Sequence, residues 1–143
     1  MGGWLILEPY ITPSIFQNAG GAIGEWTLCE QNADAESILQ SHWSSWVTEG
    51  DIQKIAGAGF NLVRIPVGYW AFEKYPGDVF IQGAAEYLDQ AVGWAASAGL
   101  QIWIDLHGKF GMPSERETDG KTLTLVQEHR CRRMATTILV TEY

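Results

Sequence analysis

The sequence predicts an α/β fold built around parallel strands. Two stretches of helical apolar spacing are each followed by a short, almost wholly apolar run, first Phe60 to Ile65 and then Leu100 to Leu106. The two junctions are alike, Ala58-Gly59-Phe60 and Ala98-Gly99-Leu100. Strands without polar alternation are typical of parallel sheets that helices cover on both faces. Helix and strand therefore alternate along this chain.

The first part of the chain predicts one strand and two helices. Gly3 to Leu7 is a short apolar run, which predicts a strand. From Ala35 to Val47 apolar residues recur at i, i+3, i+4 and i+7, which predicts an amphipathic helix that Asp34 caps. Thr48 and Asp51 have the spacing of a capping box, so we expect a second helix here that ends at the glycines of positions 57 and 59.

The middle of the chain repeats this order of helix and strand. We expect Pro66 to end the apolar strand that starts at Phe60, because proline lacks a backbone N–H. Residues 82–98 have helical spacing, Gly99 closes that helix, and Leu100 to Leu106 is the third predicted strand. Three tryptophans lie on predicted helices, and we expect them to pack in the core. They are Trp43, Trp46 and Trp94.

Composition excludes several kinds of partner. The chain of 143 residues has a formal net charge of −8, and residues 1–108 carry twelve acidic side chains, three basic ones and all seven tryptophans. Such a negative body binds phosphate poorly, so we expect neither nucleic acid nor a membrane as partner.

No apolar run approaches the roughly 20 residues of a membrane span, and we see no signal peptide. Cys29 and Cys131 lack metal-type spacing, so we expect no disulfide framework and no bound metal.

Two architectures use such units, the doubly wound sheet and the eight-fold (β/α)8 TIM barrel. A doubly wound nucleotide-binding domain needs a glycine-rich turn between its first strand and helix. The nearest sequence, Gly20 to Gly24, follows no strand pattern and precedes Trp26 and Cys29 without a helical face. The barrel fits better. It needs about 200 to 250 residues, so the chain can hold only the first three of its βα units.

Three polar residues stand at the predicted carboxyl ends of the strands, where a barrel has its catalytic mouth. They are Glu8, Arg64 and His107. Each also has a purely structural interpretation. Glu8 can be a surface carboxylate, Arg64 can form a structural ion pair with Glu8 or Asp105, and His107 can be a hydrogen-bonded core histidine.

Four motifs in order resemble a known family. They are Gly2 to Ser14, His42 to Glu49, Asn61 to Phe72, and Trp103 to Gly108. Together they resemble the fungal exo-β-1,3-glucanases of glycoside hydrolase family 5. The resemblance is dense across residues 2–108.

The resemblance implies a retaining β-glucosidase on a (β/α)8 barrel, acting on β-1,3-glucan or its oligosaccharides from the non-reducing end. It implies no metal or organic cofactor, no specific protein partner, and an extracellular or cell-wall location. The position of Glu8 binds hydroxyls of the terminal glucose in that family, and Tyr69 lines the pocket. Arg64 matches a residue that orients the nucleophile carboxylate, and His107 one that lies against the same sugar.

The chemistry requires two carboxyl groups about 5 Å apart, one as acid/base and one as nucleophile. In the family the first lies in an Asn-Glu-Pro sequence, which this chain does not contain. We therefore expect that no catalytic residue is present and that the chain alone is inactive. The alternative is a non-catalytic glucan-binding fragment that uses Glu8, Arg64, His107 and Trp70.

The sequence predicts a boundary after Gly108. Residues 109–143 have a net charge of +1, no tryptophan and no clear hydrophobic period, and they depart from the family pattern. We expect residues 1–108 to be the barrel part and residues 109–143 to be an unrelated or mis-spliced, poorly ordered tail. Gly108-Lys109-Phe110 can be encoded by GGT-AAG-TTT, which contains GTAAGT, the usual start of an intron.

Overall fold

Helices and parallel strands alternate in the structure, a computed structural model that describes residues 1–17 and 19–107. The helices are α1 (Pro13–Gln17), α2 (Glu25–Gln31), α3 (Ala35–Trp46), α4 (Glu49–Gly57) and α5 (Ala84–Ala98); the strands are β1 (Leu62–Gly68) and β2 (Gln101–His107), and a 3₁₀ turn covers Tyr69–Ala71. The predicted α/β class is confirmed. The tail predicted for residues 109–143 and Cys131 lie outside the described residues.

The sheet forms around β1. β1 pairs with β2 in parallel, from Leu62 opposite Gln101 to Gly68 opposite His107. The predicted strand from Gly3 to Leu7 is reduced to one parallel bridge between Leu5 and Val67. That strand prediction was wrong in extent, because Gly3 has a positive φ of 68° and interrupts the extended run.

The prediction that Pro66 ends its strand was wrong. β1 starts two residues later than Phe60 and continues through Pro66 to Gly68. Proline's fixed φ suits an extended backbone, and its missing N–H removes a single ladder bond. The chain then turns sharply at Gly68, where a Cβ would come within 2.3 Å of the Trp70 ring. Only glycine lets the tryptophan fold back over the strand end.

Helices α3, α4 and α5 follow the sequence prediction closely. The Asp51 carboxylate of α4 accepts hydrogen bonds from the backbone N–H and the hydroxyl of Thr48, at 3.2 and 2.7 Å. Gly99, at a left-handed φ of 71°, closes α5 as predicted. The predicted cap at Asp34 was wrong, because its side chain makes no capping hydrogen bond.

We expect Thr48→Ala to lower the free energy of unfolding by about 1 kcal/mol, because it removes an N-cap side chain. Urea unfolding followed by circular dichroism measures the effect. The control is Gln53→Ala, an exposed change on α4 that should stay within about 0.5 kcal/mol of wild type. Equal effects of the two substitutions would contradict the capping role.

The core lies between the helices and one face of the sheet. Val63, Ile65 and Val67 of β1 point into it, together with Trp4, whose indole donates to the Trp43 carbonyl at 2.8 Å. α4 packs against α5, and α5 packs against β2. The expectation that both strands are covered on both faces was wrong, because on the other face Leu62 of β1 is 43% exposed and Trp103 of β2 is 58% exposed.

Of the three helical tryptophans, Trp43 is fully buried as predicted. Trp94 is half-buried and stacks on Trp4 with ring centroids 6.5 Å apart. Trp46 is exposed, so its predicted core position was wrong. Its indole donates a long hydrogen bond to the Gly2 carbonyl instead.

Two short helices were missed by the sequence prediction. α1 follows Thr12, and α2 begins directly after Gly24, where no helical face was expected. The reason is that the buried side of α2 is formed by Leu28 and a charged residue, Glu25, which an apolar count overlooks.

In the described ranges, no helix has both the length and the apolar character that a bilayer span requires.

Candidate active site

Three polar side chains of β1 and β2 lie on one face of the sheet. Arg64 is opposite Trp103 in the β1–β2 register, Pro66 is opposite Asp105, and Gly68 is opposite His107. Side chains alternate between faces along a strand, so Arg64, Asp105 and His107 share the face that the helices leave uncovered. Arg64 and His107, both singled out from the sequence, are therefore close together. The prediction that Arg64 stands at the carboxyl end of its strand was wrong, because β1 continues past it to Gly68.

Asp105 is the centre of this cluster. Its Oδ2 accepts a hydrogen bond from Nη2 of Arg64 and lies 2.6 Å from Nε2 of His107. A carboxylate is only an acceptor, so Nε2 of His107 carries the proton in this contact. Nη2 of Arg64 lies 3.3 Å from that same nitrogen. Of the partners left open for Arg64, the structure selects Asp105.

The cluster contributes little to stability. The Arg64 side chain is 53% exposed, against 26% for Asp105 and 34% for His107. Ion pairs this accessible to solvent contribute at most about 1 kcal/mol, because water screens them. Packing alone thus gives no reason to gather a guanidinium, a carboxylate and an imidazole on an open face. A polar ligand gives such a reason.

Glu8 lies in a tight turn that follows the first strand segment. Its carbonyl accepts the backbone N–H groups of Ile11 and Thr12 at 2.8 and 2.9 Å. Its Oε1 accepts the Tyr10 hydroxyl at 2.5 Å, and this bond raises the pKa of Tyr10. The sequence pattern did not single out Tyr10.

Tyr69 lies in a buried aromatic cluster next to the strand end. Its hydroxyl donates to Oδ2 of Asp78 at 3.0 Å, and its ring meets Trp70 edge to face. Burial first, and then the bond to Asp78, raise the pKa of Tyr69. The side chain is only 5% exposed, so its predicted place in a sugar pocket remains a prediction.

Glu25 was not identified from the sequence as a candidate site residue. It is 5% exposed, and its two carboxylate oxygens accept the Leu7 backbone N–H at 2.7 Å and the Trp70 indole N–H at 2.9 Å. Burial raises the pKa of Glu25 to about 7, against the opposing effect of these two donors. No periodic pattern marks such a residue, because its partners are remote in sequence.

The arrangement suits an uncharged, hydroxyl-rich ligand. Glu8 and Asp105 accept hydrogen bonds, while Arg64 and His107 donate them, and sugar hydroxyls can do both. Within residues 1–17 and 19–107, no group of three or more His, Cys, Asp or Glu side chains is arranged to hold a metal ion.

Relatives in the fungi are similar over most of the chain. It is 49% identical over 124 residues to the probable glucan 1,3-beta-glucosidase A of Neosartorya fischeri, covering 85% of this chain and 30% of that protein. It is 46% identical over 125 residues to the glucan 1,3-beta-glucosidase of Pichia angusta, covering 85% of this chain and 29% of that protein. The chain thus spans about a third or less of the length of these relatives.

Solved structures show the same fold. The crystal structure of AoRut has a TM-score of 0.69 and 33% identity, covering 78% of this chain and 32% of that one. The rutinosidase from Aspergillus niger has a TM-score of 0.68 and 30% identity, covering 73% and 30% respectively. The described fold is thus that of part of a glycosidase.

The family follows from the sequence profile. Residues 30–136 match the family described as Cellulase (glycosyl hydrolase family 5), which is well over half of the chain. The chain belongs to glycosyl hydrolase family 5. The resemblance stated from its motifs is confirmed.

Proposed function

We propose that the chain is part of a retaining β-glucosidase that releases glucose from the non-reducing end of β-1,3-glucan. The observation that carries this proposal is the cluster of Arg64, Asp105 and His107 on the uncovered face of the parallel sheet. The higher identity to glucan 1,3-beta-glucosidases than to the rutinosidase supports glucan over a rutinoside.

Each side chain of the proposed site has a role in binding. The Glu8 carboxylate accepts hydroxyl protons of the terminal glucose, and Tyr69 forms part of the pocket wall. Arg64 holds and orients a carboxylate nucleophile, since a guanidinium favours the ionised form beside it. His107 lies against the same glucose, and Asp105 keeps Arg64 and His107 in place.

The fold supports a further structural proposal. The chain holds the first three units of a (β/α)8 barrel, with β2 as the strand of the third, and later units supply the acid/base and nucleophile glutamates. Glu8, after the first strand segment, and Asp105, on β2, have sugar-binding and positioning roles, and the chain has no Asn-Glu-Pro sequence. The chain by itself is therefore inactive. The whole enzyme acts outside the cell or in the wall, where its glucan is found.

A chimera tests this proposal. Residues 1–107 replace the matching segment of the Neosartorya fischeri relative, which supplies the remaining barrel. We expect the chimera to release glucose from a linear β-1,3-glucan, while the 143-residue chain releases none under the same conditions. Glucose is measured enzymatically, and the parent relative serves as the positive control.

The outcomes separate the alternatives. A folded chimera that cleaves a rutinoside but no β-1,3-glucan would show the wrong substrate class. Glucose release by the homogeneous 143-residue chain would refute its inactivity. Saturable binding of a β-1,3-linked disaccharide by that chain, without hydrolysis, would favour the glucan-binding alternative.

A further inference from the structure

Glu25 joins two segments that carry proposed sugar-binding residues. One of its oxygens accepts the N–H of Leu7, the residue directly before Glu8. The other accepts the indole N–H of Trp70, the residue directly after Tyr69. One buried carboxyl group therefore spans the ends of the first strand segment and of β1.

The two sides of this bridge are themselves well fixed. Trp70 is almost fully buried and stacks on Phe80 with ring centroids 3.8 Å apart and an interplanar angle of 5°. On the other side, the backbone turn at Glu8 is closed by Ile11 and Thr12. A shift of the Glu25 carboxyl group would thus displace the packed Trp70 side chain and the turn at Glu8.

Helix stability alone does not account for Glu25. An acid in the first turn of a helix is favourable, but that gain is small beside the cost of burying a carboxyl group without a cation. No Lys or Arg among the described residues forms an ion pair with Glu25. The titratable group that faces it from α2 is Cys29, whose thiol pKa burial raises to about 11.

We infer that Glu25 is a positioning residue that sets the spacing between Glu8 and Tyr69. The inference rests on the proposed function for the roles of those two residues. Both oxygens of Glu25 must accept, because both partners are N–H donors. Glutamine has the same shape but only one acceptor atom, and its NH2 group would face the second donor. Glu25→Gln therefore breaks one side of the bridge without changing its volume.

Hydrogen exchange of the full 143-residue chain tests the bridge, with mass spectrometry that resolves single amides. We expect Glu25→Gln to speed exchange at the Leu7 amide about tenfold and to speed exchange in residues 69–73 as well. The matched control is Glu30→Gln, an exposed change on the same helix, which should leave both segments unchanged.

A second variant keeps the inference falsifiable if Glu25→Gln unfolds the chain. Trp70→Phe keeps the aromatic ring over Phe80 but removes the N–H donor. We expect several-fold faster exchange at Leu7, which lies 63 residues away in sequence and has no hydrogen bond to Trp70. In the double variant, exchange at Leu7 should be no faster than in the faster single variant, since both changes break one bridge.

Two results would overturn the inference. Trp70→Phe could change exchange only in residues 69–80 and leave Leu7 as in wild type, or the two substitutions could act additively at Leu7. No sugar takes part in this experiment. Its failure is therefore distinct from a failure of the chimera to release glucose.

Discussion

Arg64→Ala in the chimera is expected to lower kcat/KM for β-1,3-glucan at least about 100-fold. The guanidinium donates a hydrogen bond to Asp105, and its proposed role is to orient the nucleophile carboxylate; loss of such positioning commonly costs this much. Steady-state rates of glucose release measure it. The melting temperature should change little, because the Arg64 side chain is half exposed.

Two further variants sharpen this result. Arg64→Lys keeps the charge but loses the planar fork that binds a carboxylate through two N–H groups, so we expect an intermediate rate. Lys54→Ala removes an exposed lysine that pairs with Asp51 on α4 and should leave the rate unchanged. If Arg64→Ala kept activity within a few-fold of the unmodified chimera, the proposed role of this cluster would be wrong.

The second large effect is on stability and comes from Glu25. In the folded chain burial raises its pKa from 4.5 to about 7, so the folded state still holds a proton where the unfolded state has lost it. The contribution of Glu25 to the free energy of unfolding is therefore greatest below about pH 4.5 and falls as the pH rises to about 7. The loss is about 3 kcal/mol when both states are ionised.

The measurement compares the wild-type chain with Glu25→Gln by urea unfolding at several pH values. Subtracting the two curves removes groups that both chains share. His42 is one of these, because burial lowers its pKa and its contribution to stability rises with pH. We expect the advantage of wild type over Glu25→Gln to shrink from pH 4.5 to pH 7. A flat difference would mean that Glu25 is not buried as described.

Much of the fold could be predicted because its signals are local. The apolar spacing from Ala35 to Val47, the pair Thr48 and Asp51, and the glycine at position 99 each act within a few residues, and the structure has α3, α4 and α5 where they indicate. The errors at Asp34 and Pro66 concern ends of elements. At these positions one hydrogen bond determines where the helix or strand begins or ends. Whether that bond forms depends on the elements packed beside it.

The candidate site divides in the same way. His107 could be named because it ends an apolar strand, and Arg64 because a charged residue within an apolar strand needs a partner. Asp105 was one of two candidate partners for Arg64, and only the β1–β2 register decided between them. Tyr10 falls within the first family motif, but nothing in the sequence marked it as the partner of Glu8, because an exposed tyrosine has no periodicity.

By itself, then, the sequence determined the α/β class, the main helices and the family, since periodicity, capping and ordered motifs are properties of neighbouring residues. Tertiary structure alone decided that Asp105 joins Arg64 to His107 and that Glu25 is buried between Leu7 and Trp70. The physical reason is distance along the chain. The contacts of Asp105 with Arg64 and of Glu25 with Leu7 and Trp70 join residues 41, 18 and 45 positions apart, and only tertiary packing brings them within hydrogen-bonding range.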